Sequence, residues 1–316
     1  MDRRLTRRQA AQALVAFGCL SPALAAAQTD QPTSEPKSES KPESKPEPSR
    51  KPAEGPPKAA WLTLPPTPAL PATTRSGLAA VNGVSVFHAQ FGEGPPVVLL
   101  HGGLANSSWW GHQVEALARR FTLIVTDTRG HGRSPVMSRR FGYDIFAEDV
   151  AALMDALQIP SAAIVGWSDG AITGLQLAIT RPDRVTKLFA FGANATVDGM
   201  KPDGAKSRVF AAFATRCKAE YATLSPHPER WAQLLEGMRP VWRTQPAFTK
   251  AQLARVKAPT AISDGEYDEI IRREHTVLMS REIAGARLMI QPQVSHFAML
   301  QNPGQFNRAL MDFLAG

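Results

Sequence analysis

Residues 162–170, AAIVGWSDG, run without a break from an apolar stretch through a small-residue turn into the helical pattern of 171–179. An uninterrupted apolar run is the mark of a strand buried on both faces. A buried strand that feeds directly into a helix implies a parallel sheet closed by crossover connections. The same alternation recurs along the chain. A continuous apolar run lies at 95–100, strand patterns recur at 121–127, 187–194, 258–265 and 286–292, and residues 143–157 carry helical spacing at Ile145, Val150, Leu153, Met154 and Leu157. Residues 81–92 form a strand pattern around an Asn82-Gly83 turn, and Pro303 to Leu314 reads as a closing helix. The fold expected is α/β: a mostly parallel sheet flanked by helices, spanning residues 76–316. Residues 196–255 lack strand runs and are read as a helical lid inserted late in the sheet, over the carboxyl edge where open α/β sheets bind ligands.

Ahead of this body the sequence changes character twice. Residues 1–27 combine Arg3, Arg4, Arg7 and Arg8 with an apolar run from Ala10 to Leu20 and the small residues Ala23, Ala25 and Ala27. That is the layout of a cleaved export signal, and the run falls short of the ~20 residues a spanning helix needs. Arg7-Arg8 fits the twin-arginine type as well as the general one. A periplasmic or secreted protein with no integral membrane segment after cleavage is expected. Residues 28–75 are rich in Pro, Glu, Lys and Ser and have no apolar period, so a disordered spacer is expected. The formal charge of +8 falls to about +5 once the leader is removed. No clustered basic stripe suggests a nucleic-acid partner. Of two cysteines, Cys19 leaves with the signal and Cys217 remains alone.

The chemistry-bearing residues sit at strand ends. Gly166-Trp167-Ser168-Asp169-Gly170 places a serine between glycines where strand becomes helix, a turn that lifts the hydroxyl above the sheet at a helix amino end. A serine hydroxyl needs a base, and His296 follows the last strand. The acid that orients the base should come from the strand end before it. Residues 263–271 offer Asp264, Glu266, Asp268 and Glu269; Asp268, three residues past Gly265, is preferred over Asp264 because it can turn back across the sheet edge. Backbone donors for an oxyanion are expected from Asp169 and from the His101-Gly102-Gly103 loop, with Gly103 first and Leu104 second. Trp109 and Trp167 suggest an apolar substrate wall. No metal-ligand spacing, phosphate loop or dinucleotide fingerprint is present, so no cofactor is expected.

Together, HGG at 101, DTRGHGRS at 127, GWSDG at 166, GEYD at 265 and the late SHF resemble the α/β-hydrolase superfamily of serine hydrolases. In that superfamily DTRGHGRS is similar to a structural turn, which makes Arg129 and His131 scaffold. GWSDG followed by FGANA at 191–195 is similar to the biphenyl hydrolase-like, valacyclovir-hydrolase group of α-amino-acid ester hydrolases. The resemblance implies that Asp169 binds the α-ammonium group of a small-molecule ester. Asp169 has two rival roles, as a helix cap and as an arginine partner. The rival functions are a general carboxylesterase or lactonase taking uncharged or aryl esters, and an inactive binding protein on the same scaffold.

Overall fold

The structure, a computed structural model, describes residues 59–136 and 140–316. The expected signal and most of the expected spacer lie outside the described residues. Eight strands form one sheet: β1 (Ser76–Val81), β2 (Val84–Phe91), β3 (Pro96–Leu100), β4 (Thr122–Thr126), β5 (Ala162–Trp167), β6 (Val185–Phe191), β7 (Thr260–Gly265) and β8 (Arg287–Gln291). Their order is β1-β2-β4-β3-β5-β6-β7-β8. The first hairpin and the β2–β4 pair are antiparallel, and every later pairing is parallel. Burial follows position in the sheet. Every residue of β5 and β7 is buried, whereas edge strand β1 alternates exposed and covered residues. This is why β3 and β5 read as near-continuous apolar runs, while β7 buries Thr260, Ser263 and Asp264 among its apolar residues.

The helices are α1 (Gly111–Leu117), α2 (Tyr143–Ala156), α3 (Asp169–Thr180), α4 (Arg208–Leu224), α5 (Trp231–Thr244), α6 (Lys250–Leu253), α7 (Arg273–Glu282), α8 (Ala298–Gln301) and α9 (Pro303–Ala315). After β4 the chain crosses the sheet through α2 and adds β5 on the far side of β3. The strand order therefore reverses between β3 and β5, and the crevice beyond their carboxyl ends is where such sheets place a site. Helices α4 to α6 form the insertion between β6 and β7. Among the described residues no helix is long and apolar enough to cross a membrane.

The segment just before β1 departs from expectation. Residues 59–75 were expected to belong to a disordered spacer, but they run as a strap along the body. Leu64 and Leu70 pack against the core. Trp61 stacks on Tyr267 with ring centroids 4.1 Å apart. Gln301 donates to the Thr63 carbonyl at 2.9 Å, and Arg216 of α4 donates to the carbonyls of Leu64 and Pro65. Proline makes this stretch extended without preventing it from packing: its carbonyls remain acceptors, and two leucines supply apolar surface.

Candidate active site

Ser168 stands between the last residue of β5 and the first of α3, with φ 55° and ψ −121°. A non-glycine residue at positive φ is strained and persists only where its surroundings enforce it. Here the enforcement is close packing of the turn. A Cβ on Gly170 would fall 2.2 Å from the Leu100 carbonyl oxygen, so only glycine lets β3 and the turn approach this closely. The serine side chain is thereby lifted to the carboxyl edge of the sheet.

His296 and Asp268 come together as the sequence suggested. His296 Nδ1 lies 2.6 Å from Asp268 Oδ2, and both side chains are buried. The other Asp268 oxygen accepts from the backbone N–H groups of Ile270 and Ile271, each at 2.7 Å. Burial by itself would raise the Asp268 carboxyl, but the charge and hydrogen bond of His296, helped by Asp264 and the Ile271 amide, bring it down to about 2. Burial likewise works to lower the His296 pKa. Asp268, Glu269 and Asp169 outweigh it, so the imidazolium is held above its ordinary value. Asp264 turns away from the histidine. Its carboxyl accepts from the Gly265 amide and from Thr276 Oγ1, both at 2.9 Å. Burial and then the neighbouring Asp268 push it well above the usual carboxylate range, toward the neutral acid.

The loop after β3 lies against the elbow. A Cβ on Gly102 would come within 3.2 Å of Ser168 Cβ, and one on Gly103 within 2.3 Å of Asp169 Oδ2. Among the described residues, the N–H groups of Gly103 and Leu104 donate to no other group. The Asp169 amide, first in α3, has no intrahelical partner either. His101 fixes the loop from behind, bonding the Gly102 carbonyl through Nδ1 at 2.7 Å and accepting the Thr128 amide at Nε2 at 3.0 Å. Arg129 pairs with Asp149, and His131 is buried with its pKa lowered to about 3, chiefly by burial.

Asp169 takes neither of its rival roles. Its side chain does not cap α3, and its donors are not arginine. Tyr143 Oη donates to Oδ1 at 2.9 Å and Trp242 Nε1, from the lid helix α5, donates to Oδ2 at 2.8 Å. Burial raises its pKa, partly offset by Trp242, Tyr143 and His296. Trp167 stands near the base, its ring centroid 6.0 Å from that of His296. Trp109 stacks on Trp167. Both rings are fully buried, 5.3 Å apart and stacked, and so pack as core and not as an open substrate wall; the Trp109 indole N–H donates to Glu220 at 2.8 Å. Glu269, one of the acidic residues the sequence offers for the orienting role, instead accepts the His296 amide at 3.2 Å; Tyr143, Trp242 and Glu220 went unremarked as site groups in the sequence. Each acts on a residue far along the chain or through a backbone amide, and no motif encodes such contacts.

Comparison with known proteins fits this geometry. Residues 95–216 match the family model described as alpha/beta hydrolase fold. The human protein "Serine hydrolase BPHL" is 32% identical over 263 residues, covering 79% of this chain and 89% of that one. A pimeloyl-[acyl-carrier protein] methyl ester esterase of Nitrosospira multiformis is 26% identical, with 73% and 98% covered. Among solved structures, the enol-lactonase of Burkholderia xenovorans LB400 superposes with a TM-score of 0.62 at 25% identity, covering 76% of this chain and all of that one. The chain belongs to the alpha/beta hydrolase fold family, and it is a hydrolase.

Proposed function

We propose that this hydrolase cleaves carboxylic esters through an acyl-enzyme on Ser168, with a preference for α-amino-acid esters. Two observations support the first half: a strained elbow serine where β5 becomes α3, and a buried Asp268–His296 hydrogen bond of 2.6 Å. In this reading His296 Nε2 takes the Ser168 proton as Oγ attacks the ester carbon. The oxyanion is received by the amides of Asp169 and of Gly103 or Leu104. The alcohol leaves with the proton from His296, and a water activated by the same imidazole then cleaves the acyl-serine. Asp268 holds the tautomer and balances the imidazolium.

The amine preference rests on Asp169. Tyr143 and Trp242 occupy one acceptor direction on each oxygen, and a carboxylate has about four in all. The remaining directions suit an ammonium group one residue from the nucleophile, where a charge-assisted bond contributes about 1.5–3 kcal/mol. The test is a pair of esters identical but for the α-amine. The amino ester is expected to lead by tens of fold in kcat/KM, and Asp169→Asn to erase that lead while sparing the plain ester. Equal loss on both esters would favour a second reading, a general carboxylesterase or lactonase. That reading draws on the Trp242 bond, which makes Asp169 an anchor for α5. Export to the periplasm or medium remains a proposal resting on the N-terminal sequence alone.

A further inference from the structure

The loop that carries Gly103 and Leu104 is under strain. Leu104 is buried and held at φ 64°, a left-handed conformation that a branched side chain adopts only under constraint. Close support within the loop falls on Gly102, whose carbonyl is bonded by His101 Nδ1 at 2.7 Å and accepts the Ala105 N–H at 3.2 Å. Just beyond, Asn106 is fastened at both ends. Its Oδ1 accepts the Ser108 amide at 3.0 Å, and its Nδ2 donates to Glu220 Oε2 at 2.8 Å. The same Glu220 oxygen accepts the Trp109 indole at 2.8 Å. Its other oxygen accepts Thr67 Oγ1 of the strap at 2.5 Å.

One lid carboxylate thus gathers donors from three segments: the loop after β3, the single 3-10 turn Ser107–Trp110 that follows it, and the strap. Asn106 and Trp109 are buried, so both depend on this acceptor. One turn earlier on α4, Arg216 holds two strap carbonyls while its guanidinium stands 5.7 Å over the Trp109 ring. Trp109 in turn stacks on Trp167, the residue before Ser168. The tie therefore reaches both the loop and the elbow without touching the reacting atoms.

We infer that Glu220 is a positioning residue for the oxyanion donors: by holding Asn106 and Trp109 it sets where the Gly103 and Leu104 amides point. This rests on the ester-hydrolase reading above. Transition-state charge is stabilised only by donors already in place, and a displacement of an ångström in a reacting geometry costs about 100-fold. Loss of the tie should accordingly appear in kcat and leave ground-state binding almost intact. A trifluoromethyl ketone forms a tetrahedral oxyanion on the active serine, so it reports the donors directly. The carboxylic acid product reports ground-state binding.

The experiment compares wild type, Glu220→Gln and Asn106→Ala in the full chain on an uncharged ester, with Ser168→Ala as control. Glu220→Gln is expected to lower kcat by ~10-fold or more with little change in KM. Inhibition by the ketone should weaken by about the same factor, and inhibition by the product acid should not move. Asn106→Ala cuts the same tie from the other end, so it should reproduce the pattern, and the double variant should lose less than the product of the two single losses. If Glu220→Gln does not fold, Asn106→Ala carries the test. Wild-type kcat and wild-type ketone affinity in the folded variants would overturn the inference. So would a lower kcat with unchanged ketone affinity. A Ser168→Ala control that still turns over would overturn the ester-hydrolase reading itself, which separates the two failures.

Discussion

The carboxylates of Asp264 and Asp268 are four residues apart at the end of one strand, yet they face different partners: Asp268 Oδ2 bonds His296 Nδ1 at 2.6 Å, and Asp264 Oδ2 accepts from Thr276 Oγ1 of α7 at 2.9 Å. Asp268 is the charged member and Asp264 is driven toward its neutral form. Asparagine mimics a neutral carboxyl but not a carboxylate. Asp268→Asn should lower kcat by ~10⁴-fold, as expected when the histidine loses its orienting charge. Asp264→Asn should stay within about tenfold of wild type. Steady-state kinetics on one good ester checks both, and a dead Asp264 variant beside an active Asp268 variant would reverse the assignment.

The raised pKa of His296 fixes the direction of the pH response. The base works only when neutral, so kcat/KM should fall as pH drops through a midpoint above the ordinary histidine value of 6.5. Asp268 is the largest influence holding that midpoint up, with burial opposing it. The residual activity of Asp268→Asn should therefore have its acid limb at lower pH than wild type. For stability the signs differ by group. The raised histidine contributes stability below its unfolded pKa, and that contribution is lost as pH rises through the folded value. Asp268 contributes above its ordinary value of 3.8, and its contribution is lost as pH falls toward about 2. A pH–rate profile of kcat/KM for both proteins is the check.

The strap before β1 should matter to stability although the sequence around it looks like linker. Removing residues up to 58 is expected to leave Tm unchanged within a degree or so. Removing residues up to 75 deletes the Leu64 and Leu70 contacts and the bonds to Arg216, Gln301 and Glu220. That should cost roughly 3 kcal/mol or more and lower Tm by several degrees. Calorimetry on the two truncations distinguishes a packed strap from a tether, and equal Tm values would mean the strap is dispensable.

Much of this was legible in the sequence because it is encoded locally. The buried strands announce themselves as apolar runs. The Asn82-Gly83 turn, the elbow around Ser168 and the late His296 each occupy a fixed place relative to a strand. The strap was not legible, because its composition is that of a linker and its packing depends on Arg216 and Gln301, more than 150 residues away. The donors around Asp169 and Glu220 were hidden for the same reason. Tyr143 and Trp242 read as ordinary apolar residues of amphipathic helices, and only the folded chain aims their polar atoms at carboxylates.

The role of Ser168 as nucleophile is tested most directly by intact-protein mass spectrometry after treatment with a fluorophosphonate, followed by peptide mapping. One adduct per chain is expected, located on Ser168, with loss of ester hydrolysis in step with labelling. Ser168→Ala should take no label and lose ~10⁴-fold or more of its turnover while keeping the wild-type Tm. A Ser168→Ala protein that still labels stoichiometrically, or that keeps a tenth of wild-type turnover, would contradict that role.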